Sequence, residues 1–457
     1  MEFKKPTNAN YSACIVKLSS FVDLPNCDNV KHALIFGYHI VVSKDTSAGD
    51  MGIFFPAETA LSSEFLSANN LYRKAEFGNV DPEKKGFFEQ HGRVKTMKFR
   101  GHKSEGFWIP LNSLEFLGIP LSEFPVGAEF DEVNGTPICH KYIARGQRAP
   151  GSGKQAKKDT MRLADRIAEN QFRFHYDTAN LRRNTHKIEP NTVVSISEKW
   201  HGTSVVISNL LVNRPLKWYE KALKALGVRV QEREYGIVWS SRKVVKGVSE
   251  WTNNSNSSFY SSDIYSEVKD EVKDRIPKGF TLYGEIVGFL KDGGAIQSLK
   301  GMPYSYGCLP GHHKFLVYRV TFTNEDGRVT ELSWPQMKEF CSTWGLDMVK
   351  ELYYGKAVRL WAYWGDESPD RYLLPDDRDW SEEWVKFVEE KWVEGQKCDF
   401  NSKLPAEGVV VRIDHLEQAE AYKLKSFEFL KGESEDLDAG VSDIESDESV
   451  EDGDDCC

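Results

Sequence analysis

The chain has 457 residues, 40% of them apolar and 28% charged, so it is longer than one average domain and can bury more than one core. No apolar run reaches the roughly 18 residues that a membrane helix needs, and Met1-Glu2-Phe3-Lys4-Lys5 opens without the apolar stretch of a secretion signal. The formal charge of −10 is unevenly placed: residues 432–457 hold twelve Asp or Glu and no Lys or Arg, and without them the remainder carries +2.

Residues 11–130 read as short strands separated by turns. Ala13-Cys14-Ile15-Val16-Lys17-Leu18 and His39-Ile40-Val41-Val42 are short apolar runs rich in β-branched residues, and Asp50 to Phe55 and Gly106 to Pro110 each follow a turn signal. This spacing predicts a small β-barrel or another small β domain. Residues 144–158 carry Gly, Pro, Ser and five basic residues and read as a linker. A helix is expected after it, from Asp159 or Thr160 through Met161, Leu163, Ile167 and Phe172. Residues 145–187 hold eleven Lys or Arg against four Asp or Glu, which fits a solvated linker or a phosphate-contacting path. From 190 to 431 strands and helices mix. Val193 to Ser197 is strand-like, Leu216 to Leu226 and Trp380 to Val393 have helical spacing, and Asn253 to Ser262 is an Asn/Ser-rich loop. The segment from Gly432 offers too few apolar residues to offset chain entropy and is expected to be a disordered acidic tail. Such a tail either aids solubility or imitates a nucleic acid and competes for basic surface.

The eight cysteines, at 14, 27, 139, 308, 341, 398, 456 and 457, have no CxxC spacing, so neither a zinc site nor a disulfide framework is indicated. Reduced thiols fit a cytoplasmic setting.

A lysine becomes a nucleophile at neutral pH only when burial or neighbouring cations favour its neutral form. Lys199 ends a β-branched run and precedes His201, Gly202, Thr203 and Ser204. That run means little by itself. Its weight comes from an ordered series downstream: Ser240-Ser241-Arg242, Leu282-Tyr283-Gly284-Glu285, Phe315-Leu316-Val317-Tyr318-Arg319, Ala406-Glu407-Gly408-Val409 and Ala421-Tyr422-Lys423-Leu424-Lys425.

This series resembles the covalent nucleotidyltransferases, the ligases and mRNA-capping enzymes that carry a lysine nucleophile, a Gly-Glu strand, an aromatic strand, a Glu-Gly-Val strand and a Lys-x-Lys strand in that order. His201, where DNA ligases and capping enzymes usually have Asp, is similar to the phage RNA ligase 2 type, and the stretches Phe174-His175-Tyr176-Asp177-Thr178 and Val317-Tyr318-Arg319-Val320 resemble a phage-type subgroup of RNA ligases. Leu24 to Val30, Gly49-Asp50-Met51-Gly52, Arg100-Gly101 and Ser104 to Phe107 resemble the N-terminal OB-fold of the Deinococcus RNA ligase. The resemblance spans about residues 10–430. It implies an α+β chain with an OB-like nucleic-acid-binding domain over 1–143, a basic linker and helix over 144–189, an antiparallel-sheet nucleotidyltransferase (adenylyltransferase) domain over 190–431 and the tail over 432–457.

The resemblance also implies roles. Lys199 would attack the α-phosphorus of ATP and hold AMP. Lys423 and Lys425 would neutralise that phosphate and favour the neutral amine of Lys199, with His201 orienting the reacting groups or bracing the loop. Glu198 and Gly202 would flank the nucleotide, Arg242 would contact ribose or phosphate, and Tyr318 would stack on adenine. Glu285 would meet the ribose or assist a metal ion, and Glu407 would bind Mg²⁺, with Mn²⁺ as an alternative. Ser204 stands where the RNA ligase 2 type usually has Asn. The implied activity is ATP-dependent joining of RNA 3′-hydroxyl and 5′-phosphate ends by a monomeric, virus-encoded enzyme acting in RNA repair. The alternatives are a capping guanylyltransferase, a DNA ligase, or a nucleic-acid-binding module with an inactive ligase domain.

Overall fold

The computed structural model describes residues 2–4, 6–143, 163–249, 260–363, 380–414 and 419–441. The N-terminal part is built from β1 (Ala13–Lys17), β2 (Ser20–Asp23), β3 (Val30–Ile35), β4 (Tyr38–Ser43), β5 (Met51–Pro56), β6 (Gly106–Pro110) and β7 (Glu129–Phe130). Strands β6, β5, β1 and β7 form one antiparallel sheet, and β2, β3 and β4 form another. Successive strand residues point to opposite faces. On β1, Cys14 and Val16 join Ile40, Phe54 and Trp108 in the core between the two sheets, whereas Ala13 and Ile15 join Ile53, Phe55, Phe65 and Phe130 on the outer face. Burial on both faces explains why β1 and β5 read as continuous apolar runs rather than alternating ones.

The second part pairs two antiparallel layers. In the first, β8 (Val193–Lys199) lies between β15 (Glu351–Lys356) and β16 (Gly408–Ile413), followed by β17 (Glu420–Lys425), with the short strand Ala179–Asn180 parallel at the edge. In the second, β9 (Thr203–Asn213) lies between β10 (Arg233–Ser240) and β12 (Phe280–Gly288), flanked by β11 (Val245–Val248), β13 (His313–Thr323) and β14 (Val329–Glu331). Between Lys199 and Thr203 the chain passes from one layer to the other.

Helices cover both layers. Ile264, Tyr265 and Val268 of α3 (Ile264–Val272), with Trp334 and Met337 of α4 (Trp334–Trp344), pack on Val205, Ile207, Leu282 and Ile286. Trp384, Val385, Phe387 and Val388 of α5 (Trp380–Trp392) pack on Val194, Ile196, Val409 and Val411. Each such large apolar side chain contributes about 1.5–3 kcal/mol on full burial. The expected helix at 216–226 is α2 (Trp218–Ala225), which buries no residue. Helix α4 went unassigned in the sequence although Ser333 and Gln336 form a capping box and Gly345 closes it in the left-handed conformation.

Two expectations are corrected. The helix read from 159 to Phe172 does not run that far: Leu163 and Ala164 are helical, then Ile167 bridges to Val212 and Asn170 turns to φ 61°. Leu163 is drawn into a cluster with Val212, Val238 and Val245, with Ile167 and Phe172 packed against it, and this tertiary contact overrides the helical spacing. The boundary drawn for disorder at 432 falls inside a helix, α6 (Phe427–Asp438), capped by the Ser426 side chain and seated by buried Phe427 and Phe429. The linker expected over 144–158, most of the Asn/Ser-rich loop and the tail beyond 441 lie outside the described residues.

The two parts are joined by buried charge. Arg182 follows the edge strand, with its side chain 3% exposed. It donates to Gly37 O at 3.1 Å, lies 3.6 Å from Glu105, pairs with Glu389 of α5 and sits 4.4 Å over the Tyr38 ring. Arg183 next to it reaches Ser12 and Glu129. Removing one partner of a buried ion pair strands the others. Arg182→Met is therefore expected to cost about 3–5 kcal/mol, read as a lower urea midpoint, whereas a midpoint within error of the wild type would contradict a joining role for Arg182.

Candidate active site

Lys199 ends β8 opposite Gly408 of β16. Gly408 has φ 147° and a Cβ there would lie 2.0 Å from Leu424 O, so only glycine lets the strands close at this point. The preceding residue is Glu407, whose side chain is 1% exposed. Its Oε1 meets Lys199 Nζ at 2.8 Å and Lys425 Nζ at 3.1 Å. Burial alone would raise the Glu407 carboxyl, but the two ammonium groups, with His201 beyond them, outweigh it and hold it below its usual value of 4.5. Glu407 Oε2 is buried with no hydrogen-bond partner among the described residues, and it lies 4.0 Å from His201 Nδ1.

The loop after Lys199 is held from the second layer. Glu285 Oε1 accepts from Gly202 N at 3.1 Å and Oε2 accepts from Ser204 Oγ at 3.2 Å. A Cβ on Gly202 would come within 2.3 Å of Ile286 O, so the approach requires glycine. Gln297 Nε2 donates to Gly202 O at 3.1 Å, and the Tyr306 hydroxyl accepts from His201 N at 2.7 Å. Burial pushes that hydroxyl well above its usual titration range, so it stays neutral. Trp200 stacks on Tyr306 with centroids 4.4 Å apart. The His201 ring stands edge-on between Tyr304 and Phe429, a bracing position.

Lys199, His201, Ser204, Glu285, Gln297 and Lys425 border a cavity of about 510 Å³ that reaches both parts of the chain, with Tyr11, Lys141 and Tyr142 on the N-terminal side; Glu407 lies behind its wall. Of the ten predicted site residues, Lys199, Lys425, His201 and Glu407 converge, and Gly202 and Glu285 hold their loop. Tyr318 and Lys423 line the same cavity from other strands. The Tyr318 hydroxyl bonds His175 Nδ1 at 2.9 Å. Arg242 reaches Asp177 Oδ1 through Nε at 3.0 Å. Burial alone would raise the Asp177 carboxyl, but Arg242, with Lys423 further off, holds it low. Glu198 lines the cavity but points its carboxylate at Lys350, 3.5 Å away, on the opposite face of β8 from Lys199.

Sequence reasoning gave no role to Gln297, Tyr306, His175, Asp177 or Lys350. Only His175 and Asp177 carried a signal, as part of the stretch 174–178.

Among the described residues, no group of three or more His, Cys, Asp or Glu is placed to hold a metal ion. Mg²⁺ needs only one or two carboxylates when nucleotide phosphates and water complete its shell. The unpartnered Oε2 of Glu407 fits that requirement, whereas both oxygens of Glu285 are engaged by the loop.

A carboxylate held below its usual value adds stability that is full above about pH 4.5 and is lost as pH falls through the depressed value. Urea unfolding at a series of pH values is expected to show Glu407→Gln losing less stability than the wild type below pH 4.5. Parallel pH profiles would remove Glu407 from that linkage.

The comparisons with known proteins agree with this geometry. The RNA ligase family model matches residues 192–425, more than half of the chain, and an OB-fold domain model matches residues 12–111. No curated protein sequence matches. Among solved structures, a lysine mutant of the Naegleria gruberi RNA ligase with ATP and Mn aligns at TM-score 0.53 and 12% identity, covering 94% of this chain and 100% of that one. A glutamate mutant of that ligase with ATP and Mn aligns at TM-score 0.53 and 14% identity over 92% of this chain and 98% of that one. At such identity the likeness is one of fold. The chain belongs to the RNA ligase family, with an N-terminal OB-fold domain ahead of its ligase domain.

Proposed function

We propose that the chain is an ATP-dependent RNA ligase that works through AMP bound to Lys199. The observation that carries this reading is the fully buried Glu407 carboxylate bridging Lys199 and Lys425 at the crossing of the two layers. A lysine at the edge of a nucleotide-sized cavity, with a second lysine and a carboxylate in contact, suits phosphoryl chemistry, where positioning and charge neutralisation do most of the catalysis.

Lys199 rests in contact with Glu407 Oε1 at 2.8 Å. It becomes nucleophilic when its proton passes to Glu407 Oε1 or to water. Nζ then forms a bond to the α-phosphorus of ATP, and pyrophosphate leaves with the electron pair of the broken P–O bond. Lys425 and Lys423 offset the charge on the phosphates. An oxygen of an RNA 5′-phosphate next attacks the same phosphorus, breaks the P–N bond and carries AMP away, returning the amine. A 3′-hydroxyl then attacks the 5′-phosphorus, a phosphodiester forms and AMP leaves. Tyr318, aligned by His175, offers its ring to adenine, and stacking of this kind is worth about 1–3 kcal/mol. Glu285 keeps Gly202 and Ser204 in register, which gives Ser204 a structural partner where the RNA ligase 2 type usually has Asn. Mg²⁺ at Glu407 would shield phosphate charge and orient the pyrophosphate.

Tyr11, Lys141 and Tyr142, flanking the OB-fold match, add two aromatic rings and a cation to the cavity wall, which supports nucleic-acid ends as the substrate. A sealing assay with nicked duplexes and single strands, RNA or DNA 3′ ends, and ATP or GTP tests the reading. RNA 3′ ends with ATP should be sealed, and Lys199→Ala should abolish sealing. Preference for GTP, sealing of all-DNA nicks alone, or undiminished sealing by Lys199→Ala would each defeat it.

A further inference from the structure

Helix α6 has two halves with different anchors. In the first, Phe427 and Phe429 are fully buried, and Gly432 lies so close to Leu299 that an added Cβ would be 2.7 Å from its Cδ2. From Glu433 to Val441 only Ser434 is buried, its hydroxyl donating to Glu58 and accepting from Thr96 N. The remaining contacts of this half are largely between charges. Lys425 Nζ lies 3.0 Å from Glu433, Lys300 pairs with Glu435, and Lys95 Nζ lies 2.8 Å from Asp438. The lysines come from three separate places: the OB-fold domain, the turn after Leu299 and the Lys-x-Lys strand. Glu433 and Asp436 also turn toward the cavity that holds Lys199.

An acidic wall beside the lysines of the cavity is electrostatically wrong for a site that admits a triphosphate and an RNA 5′-phosphate, because like charges repel there. The same lysines are well suited to RNA backbone phosphates once the carboxylates leave. Asp438 also lies 3.1 Å from the buried Arg93, which Glu58 holds independently at 2.8 Å; the other pairs are partly exposed and individually weak, and the apolar anchors of the first half do not depend on them.

We infer that Lys95 and Lys300 form a binding strip for RNA backbone phosphates leading to Lys425, and that residues 433–441 occupy this strip as an internal polyanion until RNA displaces them. The inference rests on the ligase reading and adds a defined RNA path with a built-in competitor.

Hydrogen exchange on the full chain tests it, using a nicked duplex with an RNA 3′ end and a 5′-phosphate. At saturating RNA, amides of 433–441 should exchange faster while those of 427–431 keep their protection. Unchanged or slower exchange in 433–441 overturns the inference. Glu435→Gln combined with Asp438→Asn should tighten RNA binding by about threefold to tenfold at moderate salt, and Lys199 should still be adenylylated by ATP. Unchanged or weaker RNA binding by this variant overturns it as well. Failure of the wild type to form the ATP adduct would instead sink the ligase reading, so the two failures are separable.

Discussion

The site depends on one buried carboxylate. Glu407 sits beneath two lysines and is ionised because they are there. The cost of burying a charge is offset only by close opposite charges, so the position of Glu407 dictates where Lys199 and Lys425 rest. Strand register then fixes the remaining geometry. Lys199 lies opposite Gly408, and Gly408 lies opposite Lys425, so three neighbouring strands bring Lys199, the Glu407 carboxylate and Lys425 together. The second layer adds its own constraint through Glu285, which holds Gly202 and Ser204 as the chain crosses over.

Much of this arrangement was legible in the residues. Strands β8, β9, β12, β13 and β16 read as largely apolar runs because they are buried by helices or by the opposite layer, and candidate site residues lie in them or directly beside them. Glu407 and Glu285 stood out as members of the ordered motif series that resembles the covalent nucleotidyltransferases. What was not legible depends on long-range placement. Gln297 and Tyr306 bind the backbone of the Lys199 loop from about a hundred residues away, and side-chain-to-backbone contacts leave no spacing pattern. Arg182 gave no sign that it would be buried among Glu105, Glu389 and Tyr38. The composition of the C-terminal segment suggested disorder. Yet Phe427 and Phe429 anchor the helix, and lysines from elsewhere in the fold neutralise its second half.

The domain junction follows from the same economy of charge. Arg182 and Arg183 tie the OB-fold domain to the ligase domain from one side. Arg93, its side chain fully buried, ties it to α6 from another through Glu58 and Asp438. The cavity lies between these ties and draws its walls from both domains. Polar junctions of this kind exchange partners more readily than apolar ones, which suits a protein whose substrate is itself a polyanion.

The central claim is that Lys199 carries AMP. Intact-mass measurement of the purified chain after incubation with ATP and Mg²⁺, followed by peptide mapping, tests it most directly. The account predicts one AMP per chain, on the peptide that contains Lys199. The absence of any adduct, or AMP on another residue with Lys199 unmodified, would contradict it.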